Sequence, residues 1–354
     1  CNLVYFGSLT VPPGVPIASE WVEEALPLVG QRCPGPLISL GLEASGRLFH
    51  RISGTEPSLL LMESPAGDDS LPAFIRLSAW GRELGVPLPE VVLADLHAHR
   101  LLVQDLGPNT LHAAMAEDPA APWGTRAFES LLRWQQAARL TPPEGAPHYD
   151  DERLSLERAI FVPWFCEALL ELTPPAGLME ESAAILETPF REAPQTLVHL
   201  DWHGRNLIPQ DNGTVAIVDF QDARWGPLPY DLVSFCWDAY VSWTPKDYAP
   251  WLAFYRTRAK ALGLWPEGYD TAFERDFFAC GLQRSLKVLG IFARLWLRDD
   301  RPTHLPYLAP VLQRLEWALG ESGLAPALLA WVRQTLRPRF EAWTQAQSTA
   351  SRKP

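Results

Sequence analysis

The 354-residue chain has 47% hydrophobic and 20% charged residues, the balance of a globular protein with ample length for a substantial core. Its formal net charge of −12 excludes a nucleic-acid partner gripped by its phosphates, which needs clustered Lys and Arg. Five scattered cysteines with no C-x-x-C pair exclude a clustered zinc site, and no uncharged apolar run marks a membrane span, so reduced thiols and a cytoplasmic location are expected.

Residues 1–8, Cys-Asn-Leu-Val-Tyr-Phe-Gly-Ser, resemble the remnant of an engineered protease-cleavage linker and carry no fold expectation. Short apolar runs over the first hundred residues read as strands: Leu48–Ile52, Ser58–Met62, Glu90–Leu93 and Leu101–Gln104. A helix over Leu71–Leu84 interrupts them. After Gly107 apolar residues recur at three- and four-residue steps, as at Phe128, Leu131, Leu132 and Ala138, and again over Tyr149–Leu172, so this part is mostly helical. The 34 prolines cluster between these segments and mark loops. One β-rich island interrupts the helices at Thr196–His199, Leu207-Ile208 and Thr214–Phe220, with Asp211-Asn212-Gly213 as a hairpin turn.

The island holds the chemistry. His199-Leu200-Asp201-Trp202-His203-Gly204-Arg205-Asn206 is followed across the hairpin by Ile217-Val218-Asp219-Phe220-Gln221-Asp222. Phosphoryl transfer needs one carboxylate to take the acceptor's proton and hard oxygen ligands for magnesium. Asp201 suits the first task, and Asn206 with Asp219, brought onto adjacent strands, suits the second. An isolated Asp most often caps a turn, but this ordered set favours chemistry.

H-x-D-x-x-x-x-N followed by D-F-x-D resembles the aminoglycoside phosphotransferase-like family, relatives of protein kinases. The resemblance implies an α+β, protein-kinase-like two-lobe fold: a small β-rich N-terminal lobe over residues 9–106, a larger, mainly helical lobe over 107–345, and a tail over 346–354. It also implies Asp201 as catalytic base, Asn206 and Asp219 as magnesium ligands, ATP as phosphate donor, and His199 and Asp231 as structural supports of the catalytic loop. Gly226-Pro227, Tyr230-Asp231-Leu232 and the run Gly281–Leu295 look like one subgroup, the bacterial anomeric sugar kinases of cell-wall recycling that act on N-acetylmuramate and N-acetylglucosamine. Ser285 departs from that subgroup's Gln-Arg-His-Leu-Lys run.

Leu282, Leu286, Leu289, Ala293 and Trp296 make one apolar helical stripe, while Gln283, Lys287, Gly290 and Arg294 share another face. If that second face lines the cleft, Lys287 and Arg294 suit an acidic amino sugar; the alternative is a salt-bridged face, and Arg284 is a further substrate-binding candidate. His203, Glu157 and Asp222 are further candidates for sugar hydroxyls.

A phosphate-covering turn is expected at Gly41–Gly46, with Ser45 and Gly46 at its end. The strand Lys that usually pairs with the phosphates is missing: residues 1–245 contain no Lys, and Met62 stands near its place. Arg47 and Arg51 are the substitute candidates, and Leu101–Gly107 resembles an adenine hinge in which backbone groups of Gln104 and Leu106 hold the base. The expected partners are therefore a nucleotide and a small-molecule amino sugar. Kinases for other small alcohols (aminoglycoside, choline, homoserine, methylthioribose) and a nucleotide-binding pseudokinase are the alternatives.

Overall fold

Five short strands pair as one antiparallel sheet: β1 (Leu37–Leu42), β2 (Leu48–Ile52), β3 (Leu59–Glu63), β4 (Val91–Asp95) and β5 (Arg100–Gln104), in spatial order β1-β2-β3-β5-β4. The structure, a computed structural model, describes residues 18–32, 35–42, 46–119 and 121–350. Residues 1–8 and Ser45 lie outside this set. Alternate residues Leu59 and Leu61 of β3 meet Leu93, Leu102 and the helix Ala18–Ala25 through Trp21 and Val22. Burying each Leu side chain contributes about 2 kcal/mol. Edge strand β1 leaves Ile38 and Leu40 exposed, so its six residues show no clean alternation in sequence. The helix Leu71–Leu84 matches its expected bounds and stops at Gly85, whose left-handed conformation (φ 69°) returns its N–H to Arg82.

Four more strands follow: β6 (Gln195–Val198) pairs with β9 (Arg224–Pro227), and β7 (Leu207–Pro209) with β8 (Val215–Ile217). Packing divides the chain into two compact units, Cys1–Ala146 with Gly204–Ala223, and Pro147–His203 with Arg224–Pro354. This division does not fall at the expected residue 107. The helices Leu111–Glu117 and Trp123–Leu140 and the β7–β8 hairpin group with the five-stranded sheet, because Ser130 Oγ donates to the Val215 carbonyl (2.7 Å) and the Ile217 N–H to that of Pro87 (2.8 Å). The final helix, Arg337–Ala350, extends into the stretch expected as a tail.

In the second unit, Asp150 caps the helix Asp151–Ile160 by accepting from the Arg153 N–H at 2.9 Å. The single helix expected to Leu172 instead widens to π geometry over Phe161–Leu169. Pro163 disfavours regular α geometry there, since it has no N–H and its ring crowds the carbonyl four residues back. The 28-residue helix Asp270–Leu297 is buried nearly all round between Asp276 and Ala293, as befits the centre of a helical body. Its close packing requires two glycines: a Cβ on Gly281 would stand 2.2 Å from the Trp237 ring, and one on Gly290 2.7 Å from the Ile160 carbonyl. Gly290→Ala is therefore expected to destabilise by roughly 1–3 kcal/mol despite the better helix propensity of Ala, because backbone cannot give way. Thermal unfolding of the variant checks this.

Among the described residues, Cys166, Cys236 and Cys280 are buried free thiols, and no helix is long and apolar enough to cross a membrane.

Candidate active site

The β7–β8 hairpin sets the first group of motif residues. Asn206 stands just before β7 and Asp219 two residues past β8, so the two lie on flanks of the paired strands rather than within them. The Val218 N–H donates to the Asn206 carbonyl at 3.0 Å, which holds the flanks together, and Asn206 Nδ2 comes to 3.4 Å from Asp219 Oδ2. Phe220 fastens this corner: its ring is fully buried and stacks on Phe74 at 4.7 Å. Asp219 itself is exposed and left-handed (φ 62°), a conformation that Asp tolerates better than bulkier residues. Gln221 Nε2 donates to Asp219 Oδ1 at 2.8 Å, while Gln221 Oε1 is buried without a hydrogen-bond partner. These residues fit magnesium, which takes one or two side-chain oxygens from a protein and completes its shell with phosphates and water.

The expected nucleotide residues of the same unit are largely committed to structure. Gly46 is exposed with φ 85°, as the end of a turn requires. Arg47, by contrast, is only 2% exposed, and its guanidinium donates to Asp68 at 2.9 Å and to Ser70. Burial would raise Asp68, yet its hydrogen bonds from Arg47 and Ser70 bring the carboxyl down to about 2. Arg51 makes a two-point pair with Asp105, at 2.5 and 3.0 Å. Both arginines thus tie the fold together where a free phosphate donor was expected. At the proposed hinge, the Gln104 N–H donates to the Glu90 carbonyl (2.8 Å) and the Leu106 carbonyl accepts from Gln210 (3.0 Å). Met62 is fully buried in β3.

The second unit holds Asp201. Its loop begins at Leu200, a bulky residue held at φ 80°, where steric cost is of order 1–3 kcal/mol. Fully buried Asp231 over-determines that turn: its carboxylate accepts from the His199 N–H at 2.7 Å and from the Leu200 N–H at 3.1 Å. His199 Nδ1 in turn accepts from the Asp201 N–H at 3.3 Å, which places the imidazole proton on Nε2. His199 and Asp231 thus both hydrogen-bond to the loop backbone.

Asp201 presents 47% of its side chain to solvent and accepts from Arg284 Nη2 at 3.2 Å. Burial of its surroundings opposes ionisation, but Lys287, Arg284, His203 and His199 outweigh it and bring the carboxyl to about 2. Arg284 is steadied by Ser234 Oγ at 2.9 Å. Ser234 was absent from the sequence expectations; its signal was the i, i+3 spacing from Asp231, which puts both polar side chains on one face of the otherwise apolar helix Pro229–Cys236.

Lys287 and Glu157, expected as sugar contacts, are paired with each other. Glu157 is 2% exposed, and its carboxylate accepts from Tyr149, Arg153 (2.8 Å), Gln283 (3.0 Å) and Lys287 (2.9 Å). Every one of its strong acceptor directions is in use. The Gln283–Lys287–Gly290 face, read as either cleft-lining or salt-bridged, makes its ion pair with Glu157 on the helix Asp151–Ile160. Burial lowers Lys287, but Tyr230, Glu157 and Asp201 outweigh it and hold the ammonium well above its ordinary value. Arg294 lies ten residues beyond Arg284 on this helix, about 15 Å along the axis, and is not brought to Asp201. Ser285 Oγ donates back to the Gly281 carbonyl at 2.7 Å. His203 packs edge-on against Tyr240 (5.6 Å) with Nδ1 buried and unpartnered, and burial holds it below its ordinary value. Asp222, in the first unit, is exposed in the turn before β9.

The model of the phosphotransferase enzyme family matches residues 37–269. The N-acetylmuramate/N-acetylglucosamine kinase of Pseudomonas putida is 32% identical over 280 residues, covering 78% of this chain and 81% of that one. The kinase of the same name from Neisseria meningitidis serogroup B is 32% identical over 278 residues, covering 76% and 81%. Among solved structures, a choline/ethanolamine kinase family protein from Mesorhizobium loti superposes with a TM-score of 0.60 at 17% identity, covering 89% of this chain and 98% of that one. The kinase-like fold expected from the motifs, a β-rich N-terminal part and a mainly helical C-terminal part, is what these comparisons and the element order show. The chain therefore belongs to the phosphotransferase enzyme family and is a small-molecule kinase.

Proposed function

We propose that the protein transfers the γ-phosphate of ATP, with magnesium, to the anomeric hydroxyl of N-acetylmuramate or N-acetylglucosamine in the cytoplasm. The observation that carries this reading is Asp201: a half-exposed carboxylate, paired with Arg284, on a loop whose backbone Asp231 holds in place. The kinases of Pseudomonas putida and Neisseria meningitidis, named for these two sugars, support the choice of acceptor.

Asp201 orients the acceptor hydroxyl and takes its proton as the new oxygen–phosphorus bond forms and the bond to the ADP leaving group breaks. A carboxyl brought to about 2 is ionised throughout the physiological range and acts mainly by orientation, which suits a loose transition state with late proton transfer. Asn206 and Asp219 are the residues that would hold magnesium, whose charge neutralises the phosphates when it is bound. The cations next to Asp201, Arg284 and Lys287, disfavour a polycationic acceptor such as an aminoglycoside.

The test is incubation with ATP and magnesium over a panel of amino sugars, aminoglycosides and choline, followed by phosphorus NMR. An anomeric sugar phosphate is expected. Turnover of choline or an aminoglycoside with no sugar product sinks this reading.

A further inference from the structure

Two carboxylates, Glu157 and Asp201, are gripped by one stretch of the helix Asp270–Leu297. Gln283 and Lys287, one turn apart on the same face, both donate to Glu157, at 3.0 and 2.9 Å. Gly290 continues that face and presses on the backbone of Ile160, which lies one turn beyond Glu157 on its own helix. Arg284 stands one position after Gln283, rotated by about 100° onto the adjoining face, and reaches Ser234 at 2.9 Å and Asp201 at 3.2 Å. Rotating or sliding the long helix would move Arg284 off Asp201. The Glu157 contacts resist both motions, because two donors one turn apart close on a single buried carboxylate that Tyr149 and Arg153 hold from its own side.

We propose that Glu157 is a positioning residue for phosphoryl transfer: it fixes the register of the long helix through Gln283 and Lys287, and so holds Arg284 on the Asp201 carboxylate. Lys287 then serves as the link in this chain of contacts, not as a ligand of the sugar. The inference rests on Asp201 acting as the base.

Glu157→Gln keeps the shape and loses the charge that draws Lys287. It is expected to lower kcat by about 10- to 100-fold, the scale of a sub-ångström to 1 Å misplacement, with KM for both substrates within about twofold. Lys287→Arg is expected to retain more activity than Lys287→Met. The kcat losses of Glu157→Gln and Arg284→Met should not multiply in the double variant, because both act on the same contact. Circular dichroism and thermal unfolding correct each rate for the folded fraction. An unchanged kcat, a corrected loss of zero, fully multiplying losses, or a raised acceptor KM at intact kcat would each overturn the inference. Asp201→Asn assayed alongside separates the two readings: full activity there removes Asp201 as base, whereas an inactive Asp201→Asn with a normal Glu157→Gln removes only the role of Glu157.

Discussion

Asp201→Asn is expected to lower kcat by roughly 10²- to 10⁴-fold while nucleotide affinity stays within about twofold. The amide keeps the size of the side chain and an oxygen for Arg284, but it takes no proton from the acceptor. Single-turnover transfer measures the first quantity and titration calorimetry with a nucleotide the second. An unchanged transfer rate would remove Asp201 from the mechanism. Because its carboxyl lies near 2, any stabilising effect of this group is present above its ordinary range and is lost only as pH falls through about 2. The acid limb of the activity profile must therefore belong to another group.

We expect Asp231 to be that group. Burial raises its carboxyl to about 6, against the pull of His199 and of the two backbone N–H bonds. Ionisation costs more in the folded chain than in the unfolded one, so the contribution to stability is greatest below about pH 4 and is lost as pH rises through about 6, by about 3 kcal/mol in all. Activity should move the opposite way, since only the carboxylate accepts freely from both the His199 and Leu200 N–H groups. We expect kcat to rise through about pH 6. A His203→Gln variant separates this limb from the titration of His203, and a limb that vanishes in it would refute the assignment.

Asp231→Ala should cost activity far more than stability. Two orphaned N–H groups cost roughly 1–3 kcal/mol each, but removal of a buried charge offsets much of that at pH 7. With the turn released, Leu200 is free to leave φ 80°, and a shift of Asp201 by about 1 Å is expected to lower kcat about 100-fold. Leu200→Gly in the same background should recover part of the rate, because glycine adopts that conformation without steric cost. No recovery would mean that Asp231 acts otherwise than through this turn.

Local chemistry made much of this legible. The Asn206–Asp219 pairing follows from Asp211-Asn212-Gly213, where Gly213 at φ 81° closes the turn and fixes the β7–β8 register. The helix Leu71–Leu84 was legible as a run between the strands, and Gly85 closes it in the structure. The nucleotide arginines were not legible in the same way. Arg47 and Arg51 stand beside a turn in sequence, and only the chain folding back reveals that Asp68 and Asp105 occupy them. Pro163 gave a visible warning of a break, but whether a helix stops or widens there depends on what packs against it.

By itself, the sequence determined the reaction type and the coarse order of strands and helices, and it singled out Asp201, Asn206 and Asp219 by their spacing and Asp231 by resemblance. Only the tertiary structure decided what the long helix does with its polar face. Gln283 and Lys287 sit at the four-residue step of a substrate-lining face, yet they close on Glu157, more than 120 residues earlier in the chain. A helical period states which side chains share a face; the partner of that face is set by packing, where a buried carboxylate must be met by donors and a glycine must meet backbone.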